Sequence, residues 1–124
     1  MIFIDRSIPK SVATALKAVR GDVLWLEDVF VHDASDIEWL SRAGTEGWLV
    51  IVRDKKIRTR PGERAAIARA GVGCFVIEQK RDPTRWEYLK LLASTLDEME
   101  ARFYSEPRPF ICAVTQTGRL RRVV

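Results

Sequence analysis

Short apolar runs alternate with longer helix-like stretches, and this regular order constrains the fold more than any other feature. Runs rich in β-branched residues are typical of buried strands, whereas apolar residues at helical spacing are typical of helices that pack one face on a core. The strand-like runs are residues 2–4, 23–26, 48–52, 72–77 and 110–115. Because strands separated by helices tend to pair in parallel, the order predicts a three-layer α/β fold, with a mainly parallel central sheet and helices on both faces.

Each of the first three stretches between these strands has a helix start signal and a glycine stop signal. Pro9 suits a first helical position, as does Pro61. Ser35 and Glu38 have the spacing of a capping box. The predicted helices therefore run from Pro9 until Gly21 stops the first, from the capping box at Ser35 to about Glu46, and from Pro61 through Ala70.

A longer helix is predicted after Asp82-Pro83. Its apolar residues step by three and four along one stripe: Leu89, Leu92, Leu96, Met99 and Phe103. Such a stripe predicts packing on the core, with a partner surface as the alternative. Beyond it, Thr117-Gly118 separates residues 110–115 from residues 120–124, which predicts a final strand and a hairpin.

Length and composition indicate one globular domain over residues 1–124. A chain of 124 residues is long enough for one core, and its 47% hydrophobic and 31% charged residues are typical of globular proteins. No apolar run is long enough to cross a bilayer and the first residues lack a signal-peptide pattern, so a cytoplasmic protein without membrane attachment is expected. Cys74 and Cys112 each lie in an apolar run, which predicts two buried thiols; a disulfide or a thiolate metal site is the alternative.

Three aspartates are predicted to lie along one edge of the sheet. Asp5 directly follows the first strand, Asp54 follows the third, and Asp36 lies in the first turn of the helix that leads into the third strand. Because crossover helices begin where strands end, strand carboxyl ends and helix amino ends share that edge. Clustered carboxylates repel one another, and a bound Mg²⁺ or Mn²⁺ would remove that repulsion and could activate water against a phosphodiester.

Each aspartate also has a purely structural interpretation. Asp36 would stabilise a helix amino end through the helix dipole, Asp5 could cap the first helix, and Asp54 could open a turn. Because all three are predicted on one edge, a catalytic metal centre of Asp5, Asp36 and Asp54 and the structural interpretation fit the residues equally well, and both stay open at this point.

Basic residues surround the third aspartate. Residues 53–60 contain five basic residues and one acid, whereas residues 27–38 contain five acids and no Lys or Arg. A basic run and an acidic run in one small domain suit a protein that binds polyanions near a cation. We therefore expect Lys55, Arg58 and Arg60 to contact phosphates, with an ordinary exposed loop as the alternative.

The same residues carry a resemblance to a known family. The segments concerned are Ile2-Phe3-Ile4-Asp5 with Pro9, Asp36 before Glu38-Trp39, Gly47-Trp48, Arg53-Asp54-Lys55-Lys56-Ile57 and Pro61-Gly62-Glu63-Arg64. Together they resemble a short PIN-like domain, similar to the VapC-type ribonuclease toxins of bacterial toxin–antitoxin pairs. The likeness covers about residues 1–78, the motif-bearing core. Over residues 79–124, which contain the predicted long helix and the final strand or hairpin, the likeness to the family is mainly in the order of the elements.

The resemblance implies an endoribonuclease that depends on Mg²⁺ or Mn²⁺, hydrolyses RNA phosphodiester bonds and is inhibited by a small cognate antitoxin. The acids of the family fall on Asp5, Asp36 and Asp54. The chain departs from the family pattern in three ways: a fourth acid has no clear counterpart, Val52 replaces a common hydroxyl residue, and Lys56 replaces a second Asp. The number of metals and a homodimeric state therefore stay open.

Two other function classes are compatible with the sequence. A non-catalytic PIN-like module would bind nucleic acid or protein without cleaving RNA. A receiver-type signalling domain would place a phosphoacceptor on Asp54, but Arg6 follows Asp5 where receivers have a second acid, and residues 110–115 contain no Lys. For the antitoxin, Trp86 and Tyr88 lie off the apolar stripe and are predicted anchors, with core packing as the alternative.

Overall fold

The computed structural model describes residues 1–31, 34–53, 60–78 and 81–123. The strands in these ranges are β1 (Ile2–Ile4), β2 (Val23–Trp25), β3 (Leu49–Val52), β4 (Gly73–Ile77), β5 (Phe110–Val114) and β6 (Leu120–Arg122). The helices there are α1 (Lys10–Arg20), α2 (Leu26–Val29), α3 (Asp36–Glu46), α4 (Pro61–Ala70) and α5 (Arg85–Ser105). No helix within the described ranges is both long and apolar enough to cross a lipid bilayer.

The strands form one sheet in the order β2-β1-β3-β4-β5-β6. All neighbouring strands are parallel except β5 and β6, which form an antiparallel pair. The predicted mainly parallel α/β sheet and its final hairpin are therefore confirmed. After β1 the chain moves to one side to form β2 and then returns to the other side of β1 to form β3. Such a reversal opens a crevice at the carboxyl ends of β1 and β3.

Helices cover both faces of the sheet, as predicted, because side chains alternate along each strand. Ile2 and Ile4 of β1 pack in a core with α1 and α5. Phe3, between them, points to the opposite core, which is formed with α2, α3 and α4. Cys74 lies in the second core and Cys112 in the first, and both thiols are free and buried, as predicted.

The observed helix ends agree with the sequence signals except at two places. The Ser35 hydroxyl accepts a hydrogen bond from the Glu38 amide, and the glycines after α1, α3 and α4 all adopt the left-handed conformation. Pro9, predicted to be the first helical residue, instead has extended backbone and precedes the helix. The strand predicted over residues 23–26 ends at Trp25. Leu26 begins the unpredicted α2, whose first turn contains two acids that complement the helix dipole.

The apolar stripe of α5 packs on the sheet and on α1, as predicted. Leu92, Leu96, Met99 and Phe103 are buried there, whereas Leu89 is only partly buried. Tyr88 is 3% exposed, so of its two interpretations core packing is the one observed, and the surface anchor is not. The buried face is wider than the stripe because α5 packs against both the sheet and a neighbouring helix.

Candidate metal centre

Asp5 lies at the crevice between β1 and β3. Ile4 and Ile51 are register partners on these parallel strands, and the Asp5 amide donates a 3.0 Å hydrogen bond to the Ile51 carbonyl. Asp5 is the first residue after β1, and Arg53 is the first residue after β3. The residues that follow these two strands therefore lie at the edge where open α/β sheets bind ligands.

The Asp5 carboxylate is buried, with only 6% of the residue exposed. Its Oδ2 accepts hydrogen bonds from the Ser7 amide at 3.1 Å and from the Ser7 hydroxyl at 2.6 Å. Burial nevertheless raises the pKa of Asp5 above its ordinary value, and the negative charge of Asp36 raises it further. The alternative in which Asp5 caps α1 is not observed, since none of the described side chains caps that helix.

Ser7 connects the two strand ends. Its Oγ donates to Asp5 and accepts a 3.0 Å hydrogen bond from the Arg53 amide, so its proton is directed at the carboxylate. This bond favours the ionised form of Asp5 in an otherwise desolvating environment. Sequence reasoning did not identify Ser7. A hydroxyl two residues after a strand-end acid is a weak signal of such a turn, but the link to Arg53 spans 46 residues.

Asp36 is held at the first position of α3 by a core tryptophan. Its Oδ1 accepts a 3.0 Å hydrogen bond from the Trp39 indole, which is fully buried. The Trp39 ring stacks on Phe3 of β1 with 5.3 Å between ring centres, and Trp48 stacks on the same phenyl ring. In the described part of the chain Oδ2 of Asp36 accepts no hydrogen bond. The packing around β1 therefore orients one oxygen of Asp36 and leaves the other available.

Two arginines connect neighbouring segments to this edge. The Arg6 guanidinium donates a 3.1 Å hydrogen bond to the Ala34 carbonyl, which joins the segment before α3 to the end of β1. Arg53 forms an ion pair with Asp82, which lies just before α5. The amino ends of α3 and α5 are thus tied to the strand ends beside Asp5.

The structure brings Asp5 and Asp36 close enough for the charge of one to shift the pKa of the other. Asp54, Lys55 and Arg58 lie outside the described residues. Arg60 directly precedes α4, and its guanidinium lies 3.9 Å from the Glu63 carboxylate. Within the described ranges no three His, Cys, Asp or Glu side chains form a metal-binding group, so the three-acid centre stays a prediction.

The donors that are described fit a hard divalent cation. Asp5 and Asp36 offer carboxylate oxygens, the ligand type that Mg²⁺ and Mn²⁺ prefer. A raised pKa on a buried carboxyl beside a second carboxylate is the condition that a cation would relieve.

Comparison with known proteins agrees with this architecture. Residues 1–79 match the family model for the PIN like domain. Neither the curated proteins nor the solved structures gave a match. The matched segment contains β1 to β4, and with them Asp5, Asp36 and both walls of the crevice. Because the match covers more than half of the 124 residues, the chain belongs to the PIN-like domain family.

Proposed function

We propose that this protein is an endoribonuclease that depends on Mg²⁺ or Mn²⁺, and that it is the toxin of a toxin–antitoxin pair. The observation that carries the nuclease proposal is the state of Asp5. This carboxylate is buried at the crevice between β1 and β3, has a raised pKa, and has no cationic side chain as a partner among the described residues. A carboxylate in that state would be stabilised by a nearby cation, and a bound divalent metal ion would supply that charge.

The proposed metal ligands are Asp5, Asp36 and, from outside the described residues, Asp54. When bound, the ion would lower the pKa of a water molecule and neutralise charge on the scissile phosphate. Ser7 would hold Asp5 ionised and correctly oriented, and the Trp39 indole would do the same for Asp36. Lys55, Arg58 and Arg60 are the proposed contacts to the phosphates on either side of the cleaved bond.

The toxin role rests on the resemblance to VapC-type proteins and on the electrostatics of the centre. An antitoxin side chain of Arg or Lys could neutralise the paired carboxylates and displace the cation at the same time. Such a partner would bind at the carboxyl edge of the sheet and block RNA.

The nuclease proposal is tested by incubating purified protein with mixed single-stranded RNA and Mg²⁺, Mn²⁺ or EDTA. Wild-type protein should cleave with either metal and not with EDTA, and Asp5→Asn should be inactive. Asp97→Asn is the matched control, because Asp97 is an exposed acid on α5. Cleavage by Asp5→Asn at the wild-type rate would show that the centre is misassigned. RNA binding that ignores metal, without cleavage, would identify a non-catalytic module.

The toxin proposal needs a separate test in cells. Expression of the protein alone should arrest growth, Asp5→Asn should be harmless, and co-expression of a small protein encoded beside it should restore growth. If active wild-type nuclease accumulates without any loss of growth, the toxin role is wrong although the nuclease activity stands.

A further inference from the structure

Trp86 differs from the other three tryptophans of the chain. Trp39 and Trp48 are buried in the core, and the Trp25 indole donates a hydrogen bond to the Ile8 carbonyl. Trp86 is 64% exposed on the first turn of α5. Single exposed apolar residues are common on protein surfaces, so exposure alone assigns no role. The surroundings of Trp86 carry the argument.

Trp86 lies on the same edge of the sheet as Asp5. The segment that leads into α5 is anchored by the ion pair between Asp82 and Arg53, and the Arg53 amide binds Ser7, which in turn binds Asp5. Tyr88 lies two residues further along the same turn of α5. Burial raises its pKa, and the positive charge of nearby Arg53 opposes that shift. A short series of contacts therefore connects Asp5 to the first turn of α5.

A pit opens between the first turns of α1 and α5 beside Trp86. It has a volume of about 250 Å³ and is lined by Ser11, Val12, Arg85, Trp86 and Leu89. Its described lining is mainly apolar and contains no acid. The pit therefore offers an aromatic plane and an aliphatic floor to a flat, uncharged group.

Two cations lie near this ring. The Lys90 ammonium group lies over a Trp86 ring, 5.9 Å from its centre. Arg85 lines the same pit as Trp86 and forms no ion pair with any described residue. An exposed aromatic ring with cations close by is an arrangement by which proteins bind single-stranded nucleic acid, with a base on a free part of the ring and phosphates on the cations.

We propose that Trp86 stacks on an unpaired base of the RNA strand that enters the Asp5 centre, and that Arg85 and Lys90 contact the adjacent phosphates. The substrate class rests on the proposed ribonuclease function, whereas the stacking site rests on the pit and its charges. The site adds a contact for the base to a centre whose other proposed contacts are to metal and phosphate.

Binding of a labelled oligouridine of about twelve nucleotides, a length within the reach of single-strand-binding proteins, tests the proposal. The Asp5→Asn background keeps the RNA intact. Trp86→Ala should weaken binding about 5- to 150-fold, since one base stack contributes about 1–3 kcal/mol, and Trp86→Phe should retain most of the affinity. Tyr104→Ala is the control, because Tyr104 is 78% exposed near the other end of α5, about 27 Å away along the helix axis.

A spectroscopic signal separates stacking from a general loss of affinity. Bound RNA should quench tryptophan emission in the parent protein, and Trp86→Phe should abolish the quenching while leaving the affinity nearly unchanged. RNA whose bases are replaced by abasic sites should bind the parent and Trp86→Ala equally.

Several outcomes would overturn the assignment. If Trp86→Ala binds RNA as tightly as its parent while wild-type protein cleaves RNA, the stacking site is wrong and the nuclease proposal stands. If neither wild-type protein nor any variant binds or cleaves RNA, both proposals fail together. If Trp86→Ala leaves RNA binding unchanged but prevents co-purification of a small partner protein, the pit belongs to a protein interface instead.

Discussion

An aspartate at one edge of the sheet has the opposite electrostatic environment to an aspartate at the other edge. At the amino edge, Asp22 precedes β2 and receives hydrogen bonds from Arg20 at 3.0 and 3.2 Å, while the same guanidinium binds Glu100 at 2.6 Å. The hydrogen bond from Arg20 lowers the pKa of Asp22. At the carboxyl edge, Asp5 has neutral donors from Ser7, and burial raises its pKa.

This contrast distinguishes a structural acid from a candidate ligand. The counter-ion of Asp22 is Arg20 of the same chain, so the charge of Asp22 is already balanced without an external cation. Asp5 is more deeply buried than Asp22 and lacks a described cation, although an arginine at this edge, Arg53, pairs with Asp82 instead. The carboxyl edge therefore retains an electrostatic cost that a bound cation would relieve.

The largest expected effect comes from neutralising one acid at each edge. Asp5→Asn should lower RNA cleavage by at least about 100-fold, because it removes a charged ligand from a site that has few. Asp22→Asn should leave the rate per folded molecule unchanged. Single-turnover cleavage with Mn²⁺ measures both. Equal losses in the two variants would remove the functional distinction between the edges.

Ser7→Ala should have the next largest effect. It removes the hydroxyl that orients Asp5 and joins it to Arg53, so we expect Mn²⁺ affinity and cleavage to fall by about 10- to 100-fold. Rescue of cleavage by excess Mn²⁺ would identify the defect as one of metal binding. Ser105→Ala, at the exposed end of α5, is the control. Unchanged Mn²⁺ affinity in Ser7→Ala would show that Asp5 needs no such support.

Charge removal at the two edges should affect RNA binding unequally. Changing Arg58 and Arg60 together to Ala should flatten the dependence of log K on log salt by roughly 0.7 per lost phosphate contact. The matched variant changes Lys17 and Arg69 to Ala, two exposed basic residues in the last turns of α1 and α4, at the opposite edge. The same slope in both double variants would show that Arg58 and Arg60 make no special phosphate contact and that residues 53–60 are an ordinary exposed loop.

The smallest expected effects are on stability, and they have opposite signs. The folded state raises the pKa of Asp5 above the ordinary 3.8, so stability of the metal-free protein falls as pH rises from 3.8 through the raised value. The folded state lowers the pKa of Asp22, so its contribution is present above 3.8 and is lost as pH falls through the lowered value.

At neutral pH without metal, Asp5→Asn should therefore unfold at a higher urea concentration than wild type. Asp22→Asn should lose about 0.2–1 kcal/mol, the range for solvent-exposed ion pairs, and the loss should shrink in acid. Urea unfolding with EDTA near pH 4 and at pH 7 measures both variants. Destabilisation of both at pH 7 would contradict the assigned difference between the edges.

Much of the fold was predictable because its signals are local. Alternating apolar runs predicted the strands, and Ser35, Gly21, Gly47 and Gly71 predicted helix ends, since a cap involves only a few consecutive residues. The position of Asp5 directly after β1 followed from the same patterns. The start of α2 at Leu26 was missed because an apolar residue there suits a strand as well as a helix.

The candidate site was predictable only in part. The topology predicted that Asp5 and Asp36 share an edge; in the structure Asp5 follows β1, Asp36 begins α3, and the charge of Asp36 raises the pKa of Asp5. Their role as metal ligands stays a prediction. Asp54, Lys55 and Arg58 lie outside the described residues, so their roles stay predictions. Ser7 was missed, and Tyr88 was left open between a surface anchor and core packing, because both depend on neighbours that are distant in sequence.

The sequence by itself determined the order of the elements, the ends of most helices and the strand-end position of Asp5, because each depends on backbone preferences and periodicity within a few residues. Tertiary structure alone decided that Asp5 is buried with no cationic partner among the described residues, and that Asp22 is paired with Arg20. It also decided that Ser7 connects β1 to β3 and that Tyr88 is buried while Trp86 is exposed. Desolvation and hydrogen bonding depend on every group packed around an atom, and most of those groups come from remote parts of the chain.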